Sequence, residues 1–159
     1  MMRVSAWAAV ALIAIGCSES YQSTALKTPT PAVEASLVVS DLSAAVGMPV
    51  AVFVKANASI GKVGSYTARI TYDPHALRFD SETVVDKELR AINPSAGLIR
   101  IAGVAPNGFA DGLLAGYSFV VLQPNGAKTL ALTVDEMHMV SHVDAKTNLT
   151  IAPVRATSR

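Results

Sequence analysis

The chain has a single cysteine in 159 residues, so it cannot close an intrachain disulfide or build a cysteine metal cluster. It has almost no excess of one charge: 13 Lys and Arg stand against 12 Asp and Glu. That leaves no basic footprint for nucleic acid and none for an anionic membrane surface. Charged residues make up only 16% of the chain and hydrophobic residues 51%, which excludes an intrinsically disordered polymer. No run reaches the roughly 18 apolar residues of a membrane-spanning helix. No Ser stands in a G-x-S-x-G setting, and the glycines from Gly103 to Gly116 do not lead into a helix as a phosphate-binding loop does. The length suits one domain and a leader.

The leader begins with the short positive start Met1-Met2-Arg3. Val4 to Ile15 is then nearly all apolar, the length of a secretory core region and too short to span as a helix. It stops at Ala14-Ile15-Gly16-Cys17, which resembles the lipobox of bacterial lipoproteins, with Ala14 where that motif prefers Leu. The resemblance implies cleavage before Cys17 and lipidation of Cys17 as the mature N-terminus. Ser18 follows where an Asp is absent, which implies sorting to the outer membrane in a two-membrane bacterium. Residues 1–16 are thus read as a signal peptide. Residues 17–32, rich in Ser, Thr and Pro, lack the apolar content for a core and read as an extended tether. The folded unit is placed at 33–154, with a polar tail at 155–159. The expected address is a secreted protein, lipid-anchored to the outer membrane or cell surface, with that anchor as its sole membrane contact.

The folded unit has the pattern of strands. Val50 to Val54 is dense in β-branched residues and follows Gly47-Met48-Pro49. Tyr66, Ala68, Ile70 and Tyr72 alternate with Thr67, Arg69 and Thr71, the period of a half-buried strand. Ile99 and Ile101 flank Arg100. Tyr117, Phe119 and Val121 share a face, and Leu130, Leu132 and Val134 share another. Leu37 to Val39 and Leu149 to Ile151 supply terminal strands. Turn signals at Asp73-Pro74, Asn93-Pro94, Pro106-Asn107-Gly108, Asp111-Gly112 and Pro124-Asn125-Gly126 separate these runs. Many short strands at this spacing predict an all-β sandwich or barrel. Glu82 to Ile92 is compatible with a helical turn or with two short strands.

The order of features from Ala35 to Pro153 resembles a cohesin domain, the module that anchors dockerin-bearing proteins in cellulosomes. The matching pieces are Val46-Gly47-Met48-Pro49-Val50-Ala51-Val52, Gly64 to Phe79, Gly97 to Ile101, Gly112 to Val121 and Asn148 to Ile151. Tyr72-Asp73-Pro74, with Leu77 and Phe79 after it, is the most specific; bacterial sandwiches related to carbohydrate-binding modules share it. The resemblance implies a nine-stranded jelly-roll β-sandwich. It also implies a non-catalytic anchoring role, a dockerin-like protein partner and a link to polysaccharide degradation. The YDP piece has its own physical reading: Tyr72 ends a strand facing inward, Asp73 caps the turn, and Pro74 stops the ladder.

Catalytic and metal chemistry find little purchase. His138 and His142, with Asp135 and Asp144 nearby, have a spacing that binds zinc on a helix. The preceding residues are strand-like, which puts positions four apart about 13 Å from each other. His75 lies in the YDP turn. Asp73, Asp80, Glu82, Asp86 and Glu88 could gather around calcium, but match no calcium loop and read better as a solvated acidic face. No catalytic residue, metal site or cofactor is expected.

Two binding readings remain. Sugar binding by a surface lipoprotein is the alternative to protein binding, and needs exposed coplanar rings. Tyr66, Tyr72, Tyr117, Phe79 and Phe119 are assigned to the interior, and Tyr21 to the tether. Only Phe53 and Phe109 are left as candidate surface rings. In cohesins one sheet face receives the partner's helices. The outward positions assigned here by that resemblance are Thr67, Arg69 and Thr71 on one strand, Arg100 and Ala102 on a second, and Ser118, Val120 and Leu122 on a third. Val120 and Leu122 are expected to form an apolar patch, with the arginines at its rim.

Overall fold

The computed structural model describes residues 32–83 and 88–157. The leader, most of the tether and Cys17 lie outside the described residues, as do Tyr21 and Asp86. The alternating runs fold as strands: β1 (Val33–Val39), β2 (Pro49–Ala58), β3 (Val63–Thr71), β4 (Leu77–Glu82), β5 (Leu89–Ser95), β6 (Leu98–Val104), β7 (Leu113–Val121), β8 (Ala131–Met139), β9 (Leu149–Ile151) and β10 (Arg155–Ala156). Short 3-10 turns sit between some of them, and no long helix occurs among the described residues.

The strands form two sheets. One runs β10-β1-β2-β7-β4, with β9 also paired to β1; the other runs β5-β6-β3-β8. The strand count is ten, not the nine expected. The C-terminal segment follows β1 in two parallel pieces, Leu149–Ile151 beside Val33–Ala35 and Arg155–Ala156 beside Val38–Val39. Pro153 lies between the pieces; it has no N–H to donate, so the ladder breaks there and resumes one residue out of step. Arg155 and Ala156, read from the sequence as the start of a polar tail, are therefore part of a sheet. Arg155 also forms an ion pair with Glu34 of β1.

The inner faces of the two sheets make one core. Leu37, Val52, Val54, Ile70, Ile99, Phe119 and Val121 are fully buried, and the alternation assigned to β3, β6, β7 and β8 matches the burial. Burying each such side chain contributes about 1.5–3 kcal/mol before entropy is counted. Phe119 packs edge-on against Tyr72 and Phe79, with centroids 5.2 and 5.8 Å apart. Glu82 to Ile92 contributes the end of β4 and the start of β5, with residues 84–87 outside the described set.

The YDP turn is built as its residues predict. Tyr72 is buried and its hydroxyl donates to the Ser95 carbonyl. The Asp73 carboxylate accepts from the His75 N–H at 2.8 Å, and the Asp73 carbonyl accepts from Ala76 and Leu77. Leu77 then closes that end of the core, with Phe79 partly buried beside it.

A bulge organises the opposite end. In the β2–β7 ladder Val54 faces Ala115 and Lys55 faces Leu113, so Leu114 is the extra residue. A bulged residue is left out of the ladder. The Leu114 carbonyl is taken instead by the Tyr66 hydroxyl at 2.9 Å and Arg90 Nε at 2.6 Å. Arg90 comes from β5, an edge strand, and reaches across to the other sheet. An inward-pointing charge of this kind also blunts an edge against pairing with other chains.

Candidate functional site

The outer face of β5-β6-β3-β8 is an array whose rows follow from the strand register. Asn93, Arg100, Arg69 and Thr133 form the central row, since Asn93 pairs with Arg100, Arg100 with Arg69, and Arg69 with Thr133. The next row is Ala91, Ala102, Thr67 and Glu136. Leu89, Val104, Ser65 and His138 come after it. On the other side lie Ser95, Leu98, Thr71 and Ala131. Ala91, Ala102, Thr67, Ser65, Thr71, Thr133, Ser95 and Ala131 are small, and two features stand out among the larger residues. Leu89 and Val104, directly paired, are 75% and 48% exposed, and the two arginines stand in the middle.

The arginines differ. In the β3–β8 ladder Thr67 faces Glu136 and Ala68 faces Val134, which leaves Asp135 as a bulged extra residue. The bulge turns Asp135 towards Arg69, and the pair is bidentate: Arg69 Nε to Oδ2 at 3.0 Å, a terminal nitrogen to Oδ1 at 2.7 Å. Lys146 holds the Asp135 carbonyl from the far side. Arg100 is exposed and has no carboxylate partner among the described residues. A shallow depression of about 450 Å³ lies between Thr67, Arg69, Arg100, Ala102 and Asp135.

The assigned partner-binding set is divided by this topology. Thr67, Arg69, Thr71, Arg100 and Ala102 share the face just described. Val120 and Ser118 do not: β7 pairs with β2 and β4, so they look out from the opposite side of the sandwich. Val120, flanked by Pro49 and Arg78, is half-buried. Leu122 lies beyond β7, 40% exposed, and lines an apolar hollow of about 320 Å³ with Tyr72, Leu77, Phe79 and Pro94. The single patch of Val120 and Leu122 rimmed by Arg69 and Arg100 is corrected accordingly. Leu89 and Val104 were not singled out from the sequence. Val104 continues the outward alternation of Arg100 and Ala102 and was legible; Leu89 lies in the ambiguous stretch after Glu82.

The candidate surface rings are corrected too. Phe109 is 2% exposed. It packs edge-on against Tyr66 at 5.3 Å between centroids, with the Arg90 guanidinium 5.5 Å over its ring. Phe53 is half-buried on the outer side of the other sheet. Among the described residues every Phe and Tyr ring is buried or half-buried.

His138 lies at the end of β8, where its backbone pairs with that of Asp144, and His142 sits in the following turn at φ +62°. Asp73 is engaged in its turn and Asp80 accepts from Ser81. Among the described residues no three His, Cys, Asp or Glu side chains gather as metal ligands would. Burial pushes the Tyr117 phenol far above its ordinary range, with Tyr66 and Glu82 adding to the effect. Tyr117 is 1% exposed, so this ring belongs to the core.

No family model and no curated protein matches the sequence. Solved structures do match the fold. A chain from a type II cohesin–X-dockerin complex of Acetivibrio cellulolyticus superposes with a TM-score of 0.60 at 13% identity, over 77% of this chain and 96% of that one. A type II cohesin domain from the cellulosome of the same organism gives 0.57 at 13% identity, over 78% and 92%. A non-cellulosomal cohesin from the archaeon Archaeoglobus fulgidus gives 0.54 at 20% identity, over 82% and 93%. With two facing sheets, the YDP turn and these superpositions, the protein has the cohesin fold.

Proposed function

We infer that the protein is a non-catalytic binding module that takes a protein partner on the outer face of β5-β6-β3-β8. The observation that carries this reading is the exposed Leu89–Val104 pair at one end of an outward sheet face of mostly small and polar residues. Apolar side chains side by side in water, rimmed by polar groups, mark an interface. The cohesin of similar fold in complex with an X-dockerin supports a protein as the partner, and a dockerin-like helical module is the class we assign. Direct sugar binding has no ring platform to rest on among the described residues. A link to polysaccharide degradation would come through the partner.

The test is a pull-down with the chain from the source organism's extract, followed by affinity measurements on the recovered protein. Ala102→Arg sets a long charged side chain in the middle of the face. It is expected to weaken binding by about 2 kcal/mol or more while far-UV circular dichroism stays unchanged. Leu122→Asp, off the face, is expected to bind normally. The reverse pattern would move the interface to the hollow beside Tyr72 and refute the assignment.

We further propose that Cys17 carries a lipid that anchors this module at the bacterial surface. Cys17→Ala should abolish labelling by a fatty-acid analogue and release the protein from the membrane fraction. Equal labelling of variant and parent would end that proposal.

A further inference from the structure

We propose that the partner delivers a carboxylate to Arg100, so that recognition on this face has a fixed polarity: cation on this chain, anion on the partner. The inference rests on the face being the binding surface and adds which chemistry it accepts. Arg69 and Arg100 are directly opposite one another across the β3–β6 ladder. Like charges so placed destabilise a sheet. Asp135 neutralises only one of them, and its two oxygens are both committed to Arg69. The other acidic residue on the face among the described residues, Glu136, is on β8 beside Thr67, two strands from Arg100 and one row away. Two strands correspond to about 10 Å in the hydrogen-bonding direction. Apart from Arg69, the neighbours of Arg100 on its own row and the next are Asn93, Ala91, Ala102 and Thr67, which bring no charge.

The surroundings favour a docked carboxylate over a solvated arginine with no role. Ala102 and Thr67 make a low floor beside the guanidinium, and the depression there is bounded by Arg69, Arg100 and Asp135. Leu89 and Val104 lie two rows away, about 13 Å along the strands. A partner helix that lies along the strands and covers them with an apolar side chain reaches Arg100 a little over two turns further on. Covering the face removes water from Arg100, and an arginine desolvated without an anion is costly. A carboxylate meets the planar fork of the guanidinium with two parallel hydrogen bonds. Arg69 is already held and neutralised by Asp135, so the carboxylate is directed to Arg100.

The test uses the full chain against a displayed library of helical-hairpin miniproteins with randomised surface positions. Binders that Ala102→Arg abolishes define those seated on the face. These are expected to be enriched in Asp and Glu over the unselected library. Arg100→Glu is expected to weaken them by about 10- to 150-fold, the fold-change of losing a hydrogen bond to a charged group, with Arg100→Gln in between. Changing the binder's acidic residue to Arg should restore affinity for Arg100→Glu. Circular dichroism checks that both variants fold. Face-seated binders without acidic enrichment, or indifferent to Arg100→Glu, overturn the polarity and leave the face reading standing. If no binder is sensitive to Ala102→Arg, the face reading fails and the inference with it. Binding of a second copy of this chain, seen as dimerisation that Ala102→Arg removes, also overturns it.

Discussion

Removing the Phe109 ring should cost the domain a large part of its stability, although its loop position suggests a surface residue. In Phe109→Ala the lost burial and the cavity left behind account for about 3–5 kcal/mol. The edge-on contact with Tyr66 at 5.3 Å is worth about 0.5–1.5 kcal/mol beyond area. The Arg90 guanidinium, 5.5 Å over the ring, loses a further favourable contact. These terms overlap, so a total near 4–5 kcal/mol is expected. Against a typical domain stability of about 5–15 kcal/mol, that is about a quarter or more of the whole. The melting temperature should fall by about 15 °C or more for a domain of this size. Phe53→Ala, half-buried on the outside of the other sheet, should cost less than about 2 kcal/mol. The assay is urea unfolding followed by far-UV circular dichroism, since the only Trp, Trp7, lies outside the described residues. A loss below about 1 kcal/mol for Phe109→Ala would refute the buried plug. It would return Phe109 to the surface as a ring available to sugar.

Two other predictions use the same end of the sandwich. Gly103→Ala should destabilise by about 1–3 kcal/mol, because the added methyl would lie 2.5 Å from the Tyr66 ring, which its hydroxyl bond to the Leu114 carbonyl holds in place. Equal urea midpoints for variant and parent would show that the ring moves aside freely. The raised Tyr117 phenol predicts alkaline sensitivity. The folded state keeps this proton where the unfolded chain loses it, so its contribution is intact below the unfolded pKa of about 10 and is lost as pH rises above it. Melts from pH 9 to 11 should show a shallower decline for Tyr117→Phe than for the parent, and identical slopes would argue against a buried phenol.

The β class, the turn positions and most of the core were determined by local rules. Alternation placed Tyr66, Ile70, Phe119 and Leu132 inside, because successive side chains of a strand take opposite faces. Asp73 and Pro74 specified their turn through their own geometry. Alternation says which residues share a face of one strand; it is silent about which strands share a sheet. That is why Arg69 and Val120 could be assigned to one surface, when the pairing of β7 with β2 and β4 sets them on opposite sides. Phe109 sits in a loop, where no period applies, and only the packing against Tyr66 and Arg90 buried it. The union of Arg69 with Asp135 spans 66 positions and depends on a bulge. The isolation of Arg100 depends on β5 and β6 bringing only uncharged residues beside it. Long-range strand pairing decided both, and with them the face on which this protein is proposed to bind.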